Sequence, residues 1–207
     1  GLSLGFAVLN DVNFWHNKDG FVAHRGFSGV SADGAVAKFS TTNHYLDTEG
    51  NILTRESAHY SVRRNDAGIL LTIDTRITAT RDIFFGVKEE MGLALRAATP
   101  ITVKYGQGSI LSAAGGKDEK GTWGKTDQWW DYFGPIGERS VGVQIMSAPG
   151  NPEVWSHSRN YGVLVANPFP VDIKKNRGRK VNLSKGADLR LRFGVQIHDN
   201  PKRDDYD

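Results

Sequence analysis

The stretch WSHSRNYGVLVANPFP, residues 155–170, places His157, Arg159 and Tyr161 at alternate positions. In an extended chain these three side chains point to one side, and Ser156, Ser158 and Asn160 to the other. An imidazole that exchanges a proton near neutral pH, a fork-shaped cation and a phenol would then share one face of a sheet. Such a face suits general acid–base chemistry, with His157 as acid or base, Arg159 holding an anionic or enediolate oxygen, and Tyr161 binding. A polar strand end at the rim of a sandwich would use the same residues without chemistry. Val163 and Val165 continue the face. Asn167-Pro168 ends the strand, because proline donates nothing to a ladder and biases the preceding residue to extended geometry. Asn167 is a candidate binding residue at that end.

Other segments offer partners. In LTRESAHYSVRR, residues 53–64, Glu56 shares a face with Ala58, Tyr60 and Val62. Apolar neighbours would raise its pKa toward the range of a general acid; the bland alternative is a rim carboxylate paired with an arginine. His59, on the opposite face, is a second candidate, or a plain exposed strand residue. EEMGLALRAAT, residues 89–99, puts Glu90 and Arg96 on one side, as a cross-strand ion pair or as ligand contacts. WGKTDQWWDYFG, residues 123–134, holds three Trp, one Tyr, one Phe and two Asp with Lys125 among them. Rings beside carboxylates suit a sugar, whose C–H face stacks while its hydroxyls need polar partners. Trp123 and Trp129 are therefore candidate platforms and Lys125 a candidate catalytic cation, unless the loop simply plugs the core. His24, in FVAHRGF, is a further candidate.

The elements that must carry these residues read as strands. In ADLRLRFGVQIH, residues 187–198, apolar and polar positions alternate with period two, and LLTIDTRITAT, residues 70–80, does the same. Shorter runs occupy 35–43, 53–64, 82–89, 91–98, 100–105, 140–146 and 161–166. Turn signals at 19–20, 33–34, 49–51 and 148–151 separate them. The pattern predicts one all-β domain over residues 1–207, an antiparallel β-sandwich or jelly roll, with under about a tenth of its residues in helix. The one plausible helix is short and near KTDQWWDYF, residues 125–133.

Composition narrows the function. No run reaches about eighteen apolar residues, so no membrane partner is expected, and the compartment stays open between cytoplasm and a periplasmic or secreted location. The absence of cysteine excludes disulfides, thiolate metal sites and a cysteine nucleophile. Net charge is only +3, and the basic cluster DIKKNRGRK, residues 172–180, lacks interleaved rings; it reads as a solvated loop, with no nucleic-acid partner. EKGTWGKT ends like a phosphate-binding loop, but Glu119 stands where the first glycine belongs. No serine-hydrolase elbow or His-based metal motif is present, and no metal or cofactor is expected.

The segments NDVNFWHNKDGFVAHRGF, KEEMGLALRAA, TWGKTDQWWDYFGPI, VGVQIMSAPGNP and WSHSRNYGVLVANPF, in that order, resemble the bacterial "methane oxygenase PmoA-like" family. The resemblance covers most of residues 1–170, with departures at Ser156, at Glu90-Met91 and at Asp127. It implies a soluble β-sandwich from a carbohydrate-degrading setting. It also implies a preceding segment ending in a His-His pair. If that segment belongs to the domain, this chain lacks sheet neighbours and is expected to form a homodimer through an exposed edge, or to be marginally stable. Together these readings predict an enzyme or enzyme-like domain acting on a sugar or keto-sugar. The alternatives are a carbohydrate-binding module without chemistry and a structural sandwich packed on a partner protein.

Overall fold

Alternation along the chain becomes two antiparallel sheets packed face to face. The structure, a computed structural model, describes residues 1–169, 171–172 and 177–200. In chain order the strands are β1 (Leu2–Phe6), β2 (Gly20–Asp33), β3 (Val36–Asp47), β4 (Ile52–Asn65), β5 (Gly68–Ala79), β6 (Ile83–Phe85), β7 (Met91–Arg96) and β8 (Ser109–Ser112). They continue with β9 (Trp129–Ile136), β10 (Arg139–Ser147), β11 (Trp155–Arg159), β12 (Val163–Asn167), β13 (Val171–Asp172), β14 (Arg177–Gly178), β15 (Val181–Leu183) and β16 (Asp188–Asn200). The larger sheet runs β2-β3-β4-β5-β16-β10-β9-β8 and the smaller β1-β7-β12-β11, while β13-β14 and β15-β6 form short pairs. The architecture is the expected antiparallel β-sandwich.

The inward-facing residues of both sheets close the core. Leu93, Leu95 and Leu164 of the smaller sheet meet Ile73, Trp130, Tyr132, Ile145, Leu191 and Phe193 of the larger one. A second cluster gathers Phe6, Phe85 and Phe169, with Phe6–Phe85 centroids 5.1 Å apart and Phe85–Phe169 4.8 Å apart. Each such side chain, fully buried, contributes roughly 1.5–3 kcal/mol, so these clusters hold the layers together.

Three local expectations are corrected. The stretch 125–133 is mostly strand: the α-helix, α1 (Asp118–Thr122), ends before it, because Trp130 and Tyr132 both bury inward at strand spacing. The run 100–105 is no strand. Pro100 sits in a 3-10 turn over Thr99–Ile101, where its missing N–H is no loss. Residues 155–167 are a hairpin, not one continuous extended segment, with the turn at residues 160–162. The basic cluster lies largely outside the described residues. Among the described residues, no helix is long and apolar enough to cross a membrane.

Candidate functional site

The hairpin of β11 and β12 sets the site. His157 pairs with Val165, Val165 with Ala94 of β7, and Ala94 with Ser3 of β1, so these four stand in one row across the smaller sheet. Arg159, Val163 and Arg96 form the next row. Because side chains alternate, this is the face away from the core. Ser156 and Ser158 point the other way and are fully buried against α1. The Ser156 hydroxyl donates to the Thr122 carbonyl at 3.0 Å, and the Ser158 and Thr122 hydroxyls lie 2.6 Å apart.

α1 then clamps the hairpin. Glu119 Oε1 accepts from Arg159 Nη1 at 2.8 Å and its Oε2 from the Asn160 N–H at 3.0 Å, while Asn160 Oδ1 accepts from the Glu119 N–H at 3.0 Å. The glutamate that spoils the phosphate-loop pattern is therefore the residue that fixes the turn. Asn160 also offers its carbonyl to the Tyr132 hydroxyl at 2.9 Å. The Trp123 ring faces the Arg159 guanidinium at 5.1 Å, so it caps this clamp.

A second carboxylate arrives from the loop before β7. Glu89 Oε2 lies 2.9 Å from Arg159 Nη2 and 2.7 Å from His157 Nδ1. The arginine contact is a hydrogen bond; the imidazole contact is a close approach without hydrogen-bond alignment. Asn167 positions this loop. It is fully buried, and its Nδ2 donates to the carbonyls of Lys88 at 3.0 Å and Glu89 at 3.2 Å. The expectation that Asn167 binds ligand is corrected on that ground: a side chain sealed in the protein cannot reach one.

Burial governs the electrostatics. Desolvation pushes His157 below its ordinary value of 6.5, and Glu89 pulls it back only in part. The imidazole is therefore neutral at neutral pH. Burial raises Glu119, but the Asn160 amide and Arg159 outweigh it and hold the carboxyl below the usual range. Burial likewise opposes the charge of Arg159, but Glu119 and Glu89 overcome it and raise the guanidinium further.

His157 borders a cleft of about 420 Å³ whose other walls include Trp15, His16, Glu90, Arg96 and Tyr161. Trp15 packs on Ala94, Val163 and Val165. Its ring lies so close to Gly5 of β1 that a Cβ there would come within 2.9 Å of Trp15 Cε3. Arg96 stacks on Tyr161 at 5.4 Å. Glu90 and Arg96 form no ion pair with each other, contrary to the structural alternative; both face the cleft instead.

Several candidates stand elsewhere. Glu56 and His24 border a different cleft, between β1 and the larger sheet, which His157 does not line. Both Glu56 oxygens are occupied, by Asn43 Nδ2 and Thr75 Oγ1 at 2.9 Å each, so it is not the acid–base partner of His157. His59 is exposed on the outer face of the larger sheet, its Nδ1 2.7 Å from the Ser40 hydroxyl. Lys125 is exposed, and its carbonyl takes the Ser156 N–H at 3.0 Å. Trp129 is half-buried on β9 beside Met146 and borders neither cleft, so it is no stacking platform for the site. Among the described residues no three His, Asp or Glu side chains are grouped to hold a metal ion. Trp15, His16, Glu89 and Glu119 were missed by sequence reasoning. Glu89 stands next to Glu90, and Glu119 at the broken phosphate-loop position; neither signal names a partner.

The sequence profile of DUF6807, described as a family of unknown function, matches residues 1–206. The chain belongs to the DUF6807 family. This overturns the resemblance to the PmoA-like family read from the motifs. No curated protein sequence matches this DUF6807 chain. Among solved structures it is similar to two GH36 α-galactosidases of Geobacillus stearothermophilus. For AgaA, in an A355E D548N form with raffinose, identity is 8% and the TM-score 0.49, over 86% of this chain and 28% of that one. For AgaB, identity is 9% and the TM-score 0.45, over 87% and 28%. A third, Slr1438 from Synechocystis sp. PCC 6803, is 9% identical at TM-score 0.34, over 84% and 65%. The chain thus spans little more than a quarter of the α-galactosidases' length.

Proposed function

We propose that the His157 cleft binds a sugar or keto-sugar and performs general acid–base chemistry on it. The observation that carries this reading is a buried, neutral imidazole bordering a cleft that also presents rings, a carboxylate and a cation. His157 Nε2 has no partner among the described residues, so it is the nitrogen free to act on a ligand. For a keto-sugar, His157 takes the proton from the carbon beside the carbonyl, and the electron pair moves to the carbonyl oxygen. Glu89, next to Nδ1, stabilises the imidazolium so formed. The proton of the neighbouring hydroxyl passes to the former carbonyl oxygen, and return of the first proton from His157 to the former carbonyl carbon gives the isomer. Arg159 does not hold the enediolate, because it does not line the His157 cleft and its guanidinium is drawn to Glu89 and Glu119 instead. Arg96, with no carboxylate partner among the described residues, takes that role, and Trp15 and Tyr161 stack on the sugar's apolar face.

The test is a panel of aldoses, ketoses and sugar acids in D₂O, with binding followed by titration and exchange beside the carbonyl by proton NMR. Wild type is expected to bind and to wash in deuterium, and His157→Gln to bind without exchange. Binding with no turnover in either protein would favour the binding-module reading. No binding by any sugar would overturn both.

A further inference from the structure

The larger sheet extends beyond the smaller one, and its wing of β2, β3 and β4 carries a second cleft of about 540 Å³. This cleft shares Ser3 and Trp15 with the His157 cleft, so the two adjoin across β1. Each lies within the volume range of small-ligand sites. Its walls combine rings and a polar chain: Trp15, the half-exposed Phe21, and Tyr60, itself stacked on Phe39 at 4.6 Å and 11°.

The polar chain runs across three strands. His24, Asn43 and Glu56 stand in one row, with Glu56 only 5% exposed beneath the cleft. Asn43 Nδ2 donates to Glu56 Oε2 at 2.9 Å, which turns Asn43 Oδ1 toward His24 Nδ1, 3.1 Å away. A carbonyl oxygen only accepts, so His24 Nδ1 must carry the proton in this arrangement. In the neutral ring Nε2 is then a bare acceptor. The buried carboxylate thus sets the tautomer of an exposed histidine, two residues away through an amide. His24 is further braced by the Phe27 ring at 4.6 Å. An oriented acceptor beside exposed rings is what a sugar hydroxyl and its C–H face require.

We infer that this wing is a second saccharide subsite, and that the ligand is an oligosaccharide spanning both clefts over Trp15. This rests on the carbohydrate reading of the His157 cleft. His24 accepts from a hydroxyl, Phe21 and Trp15 stack, and Glu56 is a positioning residue acting through Asn43.

The experiment is calorimetric titration of the full chain with glucose, galactose and xylose and with their di-, tri- and tetrasaccharides. Affinity is expected to rise about tenfold or more from one unit to two or three. His24→Ala and Phe21→Ala, both on an exposed strand, should abolish that gain and leave monosaccharide affinity unchanged. Glu56→Gln should reduce the gain and shift the His24 ¹⁵N signals away from the Nδ1–H tautomer, a change that mere loosening of the sheet would not make. Affinity independent of length, or a gain untouched by His24→Ala and Phe21→Ala, overturns the second subsite alone. Failure of every saccharide to bind, monosaccharides included, overturns the function reading with it.

Discussion

Among the described residues two histidine–carboxylate pairs show opposite burial. In the hairpin the imidazole is hidden and the carboxylate is not: side-chain exposure is 4% for His157 and 32% for Glu89. Across β9 and β16 the order is reversed, with 11% for His198 and 1% for Asp131. His198 Nε2 sits 2.9 Å from each Asp131 oxygen, reaching over Gly142 of β10. A Cβ at Gly142 would meet that nitrogen at 2.3 Å, so only glycine permits the approach. A buried carboxylate cannot remain without a partner, and His198 supplies it; that pair is a structural tie. A buried imidazole can remain neutral, and under the proposed function the cleft-lining one serves as the base. Which partner is hidden decides what the pair does.

The sharpest break of this contrast is His198→Ala. It strands the Asp131 carboxylate and should cost roughly 3–5 kcal/mol in urea unfolding. Ligand binding by the folded fraction should persist. If His198→Ala unfolds at the wild-type midpoint, the two pairs do not differ as stated. His157→Gln should do the opposite: turnover falls by about a hundredfold or more, while unfolding moves by under about 1 kcal/mol. Steady-state rates beside melting curves separate the two. Glu119→Ala removes one of the two clamps on Arg159 and the partner of the Asn160 amide. These groups are partly exposed, so the expected loss is about 1 kcal/mol, with a weakened cleft. Gly5→Val, by crowding Trp15, should weaken both clefts with little change elsewhere; selective weakening of one cleft would show that Trp15 is not their common wall.

The smallest effect is on pH. His157 has a lower pKa folded than unfolded, so the unfolded chain takes up the proton first as pH falls. Its contribution to stability is complete above about 6.5 and is lost as pH drops from there through the lowered folded value. Activity should fall over the lower part of that window, as the base becomes protonated. In His157→Gln the corresponding part of the pH–stability slope should vanish; an unchanged slope would assign it to other groups.

Period-two alternation was enough to place β4, β5 and β16 to within about two residues, because a sheet buried on one face forces that period on each strand. The shared face of His157 and Arg159 was legible for the same reason. Tyr161 was not, since it lies in the turn of a hairpin that brings Val163 and Val165 back beside those residues. Alternation assigns sides within one strand but says nothing about which distant strand lies alongside. Hence the sequence offered Glu56, more than a hundred residues upstream of His157, as the second acid–base group and passed over Glu89; only the tertiary structure sets Glu89 against His157 and puts Glu56 in another cleft. Trp15 could not be found either: its role comes from lying across β1, β7 and β12, which are far apart in sequence. The strands and their inward sides belonged to the sequence. Cross-strand neighbours, and the burial that holds His157 neutral, came only with the tertiary structure, because desolvation depends on everything packed around a group.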